Sequence, residues 1–584
     1  MADFAVWAPL PEVVRLDVEG TRHPMTRDDD GWWRATVDCA RDARYGFVLD
    51  GARDDDDPVV LPDPRSARQP DGVHQRSQLW DARSVVWTDA GWAGRSIEDS
   101  AGTVVYELHV GTFTEAGTFS AAIERLDYLV DLGVDFVELM PVNAFNGSHG
   151  WGYDGVLWFA VHEPYGGPDG LVRFIDACHA RGLGVLIDAV FNHFGPSGNY
   201  LPRFGPYLSA VTNPWGEGVN LAGPQSDQVR RYIIDCALRW MREFHADGLR
   251  LDAVHALVDN TAIHLLEELA AETDALSAVL GRPLSLIAES DLNDPRLITP
   301  RNRGGYGLAA QWDDDIHHAI HSAVSGEQQG YYCDFGSMST LAATLRNGFF
   351  HAGTYSTFRG RRHGRPLDTA AIPATRLLAY TCTHDQVGNR ATGDRPSQNL
   401  DPGQLAIKAA LVFGSPYTAM LFMGEEWGSG RPFQFFSSHP EPALARATAE
   451  GRKSEFAEHG WDADEVPDPQ DPDTFLRSKL DWSEPLGGGH AELLNFYRAL
   501  IALRHSEPDM ADPWLPHLVV EVDEERRWIV MRRGRIAVAG NLGTEPVRVA
   551  VTGQILLQWG GVDVGEGGTT LPGHTVAVVR EAVD

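Results

Sequence analysis

Eight short apolar runs punctuate the middle of this chain: "TVVYELHVG", "VDFVELMPV", "GVLIDAVFNH", "GLRLDAVH", "LSLIAESD", "LAAQWDD", "LLAYTCTHDQ" and "TAMLFMGEEW". In nearly every run the polar residues gather at the C-terminal end: Glu107 and His109, Asp188 and His193, Arg250 and Asp252, Glu289, His384 and Asp385. A core strand cannot bury a carboxylate or a guanidinium cheaply unless it is paired and hydrogen-bonded. Such strands must therefore end where partners or solvent compensate the charge. Between them lie amphipathic stretches such as "FSAAIERLDYLVDLG" and "GLVRFIDACHARG", the latter ending in Gly182, where a helix C-cap is expected. Strand–helix alternation implies parallel βαβ units, and eight strands fit an α/β fold of the (β/α)8 TIM-barrel type. In that architecture the strand C-termini share one rim, and the polar ends would meet there.

The barrel is expected over residues 93–506. Before it, residues 1–92 carry strand-like runs ("FAVWAP", "VVRLDVEG", "GWWRATVD", "YGFVLDG") separated by Gly, Pro and Asp, a pattern that predicts a small N-terminal β-sandwich; "RDDDG" and "GARDDDDP" read as exposed turns. "GGGHAELLNFYRALIALRHS" has apolar residues at helical spacing and reads as the last barrel helix, with "GGGH" as a linker ahead of it. Strand patterning returns over residues 507–584, a C-terminal small β domain.

Bulk properties exclude several function classes. Lys and Arg number 49 against 82 Asp and Glu, a formal net charge of −33, which repels nucleic acid and anionic membranes. No run of about 18 uncharged apolar residues is present, and the N-terminus lacks the basic start and apolar stretch of an export signal. Five scattered cysteines (Cys39, Cys178, Cys236, Cys333 and Cys382) without a CxxC pair fit reduced thiols in a cytoplasmic protein. No HExxH motif or Gly-rich phosphate loop occurs, so no metal or cofactor is expected. Oligomeric state is not legible.

Three carboxylates, Asp252, Glu289 and Asp385, would share the barrel mouth. Glycoside hydrolysis needs such a set: an acid to protonate the leaving oxygen, and a carboxylate to attack the anomeric carbon or activate water. Arg250 lies two residues before Asp252, hence on the same strand face, as an electrostatic partner or a structural ion pair. His193, His255 and His384 suit sugar hydroxyls better than a zinc ion. Trp151 and Tyr153 in "GWGYDG", Trp215 in "NPWGEGVN" and Trp312 in "QWDDDIHH" could stack on sugar faces or pack a core, with nearby polar groups such as Asp154 binding hydroxyls.

In this order the segments "DAVFNH" (188–193), "GLRLDAVH" (248–255), "IAES" (287–290) and "THDQVGNR" (383–390) resemble the signatures of the α-amylase superfamily of glycoside hydrolases. The resemblance implies Asp252 as nucleophile, Glu289 as general acid/base and Asp385 as transition-state stabiliser. It places Arg250, His193, His384 and Tyr153 around the glucosyl ring at the cleavage subsite, with Asp188, Asp154, Trp215 and His255 as further substrate-binding candidates. Within the superfamily the layout is similar to members that cut the α-1,4 bond beside the terminal trehalose of maltooligosyl trehalose, so the expected partner is that molecule or a related α-1,4-glucan. The alternative is a glycogen branching enzyme, a family that carries Gln in place of Asp154 and a second Glu in place of Ser290. The fourth signature begins with Thr383 where the superfamily usually has Asn. The stretch from Phe194 to about Gln225, where some amylases bind calcium, is poor in carboxylates.

Overall fold

The computed structural model describes residues 1–50, 60–98, 101–458, 466–565 and 567–582; the turn expected at 51–58 lies outside them. Each of the eight runs contains a strand: β1 (Val104–Leu108), β2 (Phe136–Leu139), β3 (Gly184–Ala189), β4 (Gly248–Leu251), β5 (Ser285–Ala288), β6 (Ala310–Trp312), β7 (Leu377–Tyr380) and β8 (Thr418–Phe422). They pair in parallel in sequence order, and β8 closes the ring against β1. The strands are buried along their length, which is why they read as apolar runs rather than alternating patterns.

Period-2 geometry explains how one strand serves both core and site. Val105, Phe136, Leu186, Ile287, Ala310, Leu378 and Met420 pack together as one apolar cluster with Trp312 and Tyr380. Two residues on, along the same strand face, come Glu107, Glu138, Asp188 and Glu289, while Arg250 stands two beyond Gly248. Register sets Glu107 opposite Glu138 and Asp188 opposite Arg250. The barrel interior is thus apolar toward one end and ionic toward the rim.

Helix Gly167–His179 reverses through Gly182, whose φ of +79° lies two residues past the C-cap Ala180; the Leu183 N–H reaches back to the Cys178 carbonyl at 3.0 Å. Glycine meets the left-handed backbone there without a Cβ penalty. The last barrel helix is Gly488–Ser506, so Gly488, Gly489 and His490 form its first turn and are not a linker. The His490 Nδ1 bonds the Trp427 carbonyl at 2.7 Å, which ties that turn to the barrel. At the other end of this helix the buried Arg504 guanidinium donates to the carbonyls of Gly102 (3.0 Å), Phe413 (2.7 Å), Ser415 (2.8 Å) and Tyr417. One side chain therefore joins the approach to β1 with the approach to β8.

Among the described residues two antiparallel sheets precede the barrel, one of three strands built on Ala2–Trp7 and Trp32–Val37 and one of four built on Val14–Val18 and Arg44–Leu49. Phe4, Leu16, Trp33 and Phe47 from these sheets are buried and join the main hydrophobic core. Arg65 anchors this sandwich to the barrel through Asp235 at 2.8 Å. After the last helix come a five-stranded and a three-stranded antiparallel sheet. Among the described residues no helix is long and apolar enough to cross a membrane, and all five cysteines are free.

Candidate active site

The rim residues form a continuous polar chain. Glu107 accepts hydrogen bonds from the His384 backbone N–H (3.0 Å) and Nδ1 (2.5 Å). The other ring nitrogen of His384 lies 2.8 Å from the Tyr153 hydroxyl, which donates to Asp188 Oδ2 at 2.6 Å. Both Asp188 oxygens sit 2.8 Å from Arg250 Nη1. The same nitrogen donates to Asp252 Oδ1 at 2.7 Å, and Nη2 lies 3.6 Å from Glu289 Oε2. Asn192 completes the chain, donating to Asp252 Oδ2 at 2.7 Å. Trp312 lies under the guanidinium, 4.4 Å from ring centroid to Cζ.

A strained turn links the first two carboxylates. Immediately after Asp252, Ala253 adopts φ +39°, a left-handed conformation that non-glycine residues avoid. This aims the Ala253 N–H at Glu289 Oε2, 2.6 Å away. One guanidinium and one backbone amide therefore hold the ends of β4 and β5 at a fixed separation.

The environment sets the protonation states. Burial pushes Glu289 up to about 8, Arg250 pulls the other way, and Asp252 adds to the rise, so Glu289 is a neutral acid at neutral pH. Burial opposes a charge on His384, but the carboxylates of Asp385 and Glu107 outweigh it and raise its pKa to about 9. His384 is therefore an imidazolium, donating from Nδ1 to Glu107 and from Nε2 toward Tyr153, with Asp385 Oδ1 at 3.4 Å from Nε2. Burial drives Glu138 well above the carboxylate range, with the Glu107 charge adding to it.

Among the residues singled out in the sequence, Tyr153, Asp188, Arg250, Asp252, Glu289, His384 and Asp385 meet in this network. The Asp385 side chain is 42% exposed and faces the open mouth. Asp188 is buried and spends both oxygens on Arg250 and Tyr153, which makes it a support beneath the site and not a group free to bind sugar. Trp215 is half exposed and stacks on His193, ring centroids 5.6 Å apart, with the His255 ring tilted against it at 6.5 Å. It rides on a hairpin, Leu208–Asn213 and Gly216–Val219, inside the stretch 194–225. Asp154 is 39% exposed and lies 3.8 Å from His439 Nε2, at the edge of the site. Trp151 is core: it is buried against Phe433 and donates to the Gln434 carbonyl. Thr383 caps its own short helix, accepting from the Asp385 N–H at 3.2 Å and donating to Gln386 at 2.8 Å, so it turns Asp385 outward.

Sequence reasoning missed Asn192 and Asp314. Asn192 stands beside His193 in the first signature, and only the fold shows that it reaches Asp252. Asp314 accepts from the Tyr380 hydroxyl at 2.5 Å, and its charge adds to the rise of Glu289. Among the described residues no group of three or more His, Cys, Asp or Glu side chains is arranged to hold a metal ion.

An eight-stranded parallel barrel with carboxylates converging on its C-terminal rim is the architecture of the α-amylase class. The family model "Alpha amylase, catalytic domain" matches residues 93–204, and a domain of unknown function, DUF3459, matches residues 513–578. The chain is 71% identical to the malto-oligosyltrehalose trehalohydrolase of Mycobacterium tuberculosis (strain H37Rv) over 100% of both chains, and 57% identical to that of Arthrobacter ramosus over 99% of both. It superposes with a TM-score of 0.90 on the crystal structure of a provisionally assigned α-amylase from Salmonella typhimurium, at 37% identity, covering 99% of this chain and 97% of that one. The chain belongs to the malto-oligosyltrehalose trehalohydrolase family.

Proposed function

We propose that this chain is a retaining glycoside hydrolase that cleaves the α-1,4 bond next to the terminal trehalose of maltooligosyl trehalose and releases trehalose. The observation that carries the chemistry is the Arg250 guanidinium, which touches both Asp252 and Glu289 while burial keeps Glu289 protonated. In the first step the Glu289 proton passes to the glycosidic oxygen as the Asp252 carboxylate attacks the anomeric carbon. The carbon–oxygen bond breaks, trehalose leaves as the alcohol, and a glucosyl ester forms on Asp252. In the second step the Glu289 carboxylate takes a proton from water, whose oxygen attacks the same carbon and frees Asp252. Two inversions give net retention.

In this reading Asp385, steadied by the His384 imidazolium 3.4 Å away, binds hydroxyls of the ring as positive charge develops on it, and Tyr153 stacks on its face. Arg250, fixed by Asp188, holds Asp252 in line. His193, Trp215, His255 and Asp154 extend the binding surface away from the bond that is cut. The barrel then occupies residues 93–506 between β domains at 1–92 and 507–584, and five free thiols fit a reducing cytoplasm.

A branching enzyme would form the same intermediate and resolve it with a sugar hydroxyl instead of water. Ser290 after Glu289, Asp154, and the named relatives over the full chain favour the hydrolase. Purified protein given maltooligosyl trehalose is expected to yield free trehalose, and given amylose to yield no new α-1,6 branch points. No trehalose from the first substrate sinks the proposal.

A further inference from the structure

An aromatic-lined groove lies at the opposite end of the barrel. Residues 80–87, in the segment that joins the sandwich to the barrel, and residues 242–245, just ahead of β4, enclose an open groove of about 600 Å³. Asp252 stands at the far end of β4, seven residues on from His245, roughly 20 Å of extended chain away.

Two tryptophans line this groove, and both are braced from behind. Trp80 stacks on Phe244 with ring centroids 5.2 Å apart and planes 5° from parallel, and its indole N–H donates to Asp169 at 2.9 Å. Trp87 stacks on His245 at 3.8 Å and 17°, and His245 Nδ1 is fixed by Asp89 at 2.7 Å. Phe244 stacks on Trp80, over which the Arg239 guanidinium also lies at 5.9 Å, His245 stacks on Trp87, and both rings remain partly exposed. Rigid indoles cost little conformational entropy when they bind a ligand.

The polar lining is mixed in sign. Arg83 and Asp81 pair with each other through Nε (2.9 Å) and Nη2 (3.0 Å), Glu243 accepts from Arg239 at 2.8 Å, and Arg242 is exposed. Carboxylates in the wall and a net charge of −33 oppose an anionic ligand. Stacking faces with donors and acceptors side by side match a neutral polyol whose ring has an apolar face.

We infer that the Trp80–Trp87 groove is a second, non-catalytic binding site for α-1,4-glucan, engaging chains or chain segments outside the cleavage mouth. The choice of glucan over other neutral sugars rests on the reaction proposed above.

Affinity electrophoresis of the full chain through gels containing amylopectin tests it. Retardation is expected in the native protein and in Asp252→Ala, whose reaction is disabled. Trp87→Ala and, independently, Arg242→Ala are expected to weaken it, Trp87→Ala by roughly ten-fold in apparent affinity for the loss of one stacked ring. Both variants should cleave the short substrate maltotriosyl trehalose at the native rate, which also shows that they fold. Retardation unchanged in both variants overturns the site whatever the product assay shows. Retardation lost in Trp87→Ala in a protein whose parent releases no trehalose would leave the groove standing and overturn only the reaction and, with it, the choice of natural ligand.

Discussion

Replacing Glu289 with Gln isolates the proton from the shape of the side chain. With its pKa at about 8, Glu289 is roughly nine-tenths protonated at pH 7, whereas a carboxyl at the ordinary 4.5 would be roughly 0.3% protonated. Burial therefore raises the fraction of competent acid roughly 300-fold at neutral pH. The native kcat/KM should fall as pH rises through about 8, because the acid loses its proton there. The amide in the Glu289→Gln variant would have no acidic proton to donate, but its oxygen should still accept from the Ala253 N–H, so KM should change little. Loss of general acid catalysis lowers kcat by roughly 10²–10⁴, or about 3–5 kcal/mol of barrier. An α-maltosyl fluoride donor needs little proton assistance to leave. Glu289→Gln should therefore release fluoride in a near-native burst and then stall, since the same residue must deprotonate the incoming water. Stopped-flow fluoride release beside trehalose release from maltooligosyl trehalose measures both halves. A burst slowed as much as the natural reaction, or a limb near pH 8 persisting in the variant, would refute the assignment of the acid.

Three further outcomes follow from the network. Glu107→Gln removes one of the carboxylates that raise His384, so its imidazole pKa should drop from about 9, read by histidine NMR. Because the folded pKa lies above the unfolded 6.5, the stabilisation is complete below pH 6.5 and lost as pH rises through about 9; the thermal-midpoint gap between native protein and Glu107→Gln should be wide at pH 6 and narrow at pH 9.5. At Ala253, with φ +39°, Gly should match or exceed the native thermal midpoint, whereas the β-branched Val should cost about 1–3 kcal/mol and lower kcat by moving the amide that faces Glu289. Exhaustive treatment with a chelator should leave trehalose release unchanged; a loss restored by calcium would contradict a metal-independent site.

Much of this architecture is legible in the chain because the barrel repeats one local rule. A run such as "GVLIDAVFNH" places Leu186 in the apolar interior and Asp188 two positions nearer the rim, and the same two-residue step recurs at Phe136–Glu138 and Ile287–Glu289. That is why strand positions and the three carboxylates follow from pattern and family signature. What escapes is set by contacts between segments distant in sequence. Nothing in "FNH" announces that Asn192 reaches Asp252, 60 residues away. "GGGH" reads as a linker because three glycines weaken a helix, yet packing of His490 on the Trp427 loop extends it to Gly488. Asp188 looks like a ligand for sugar until the register with Arg250 shows what its oxygens hold.

The Arg504 clamp has a consequence for biogenesis. The guanidinium stands 402 residues from the Gly102 carbonyl it grips. A ribosome adding ~5–20 residues per second takes roughly 20–80 s to cover that distance. For most of that interval, until Thr418–Phe422 has been made, β1 has emerged with one edge still waiting for β8, an open template for pairing with other nascent chains. Production of this protein should therefore be limited by chaperone supply and translation tempo more than by the strength of its finished core, and a transcript truncated just ahead of Arg504 should direct synthesis of a product that accumulates in inclusion bodies.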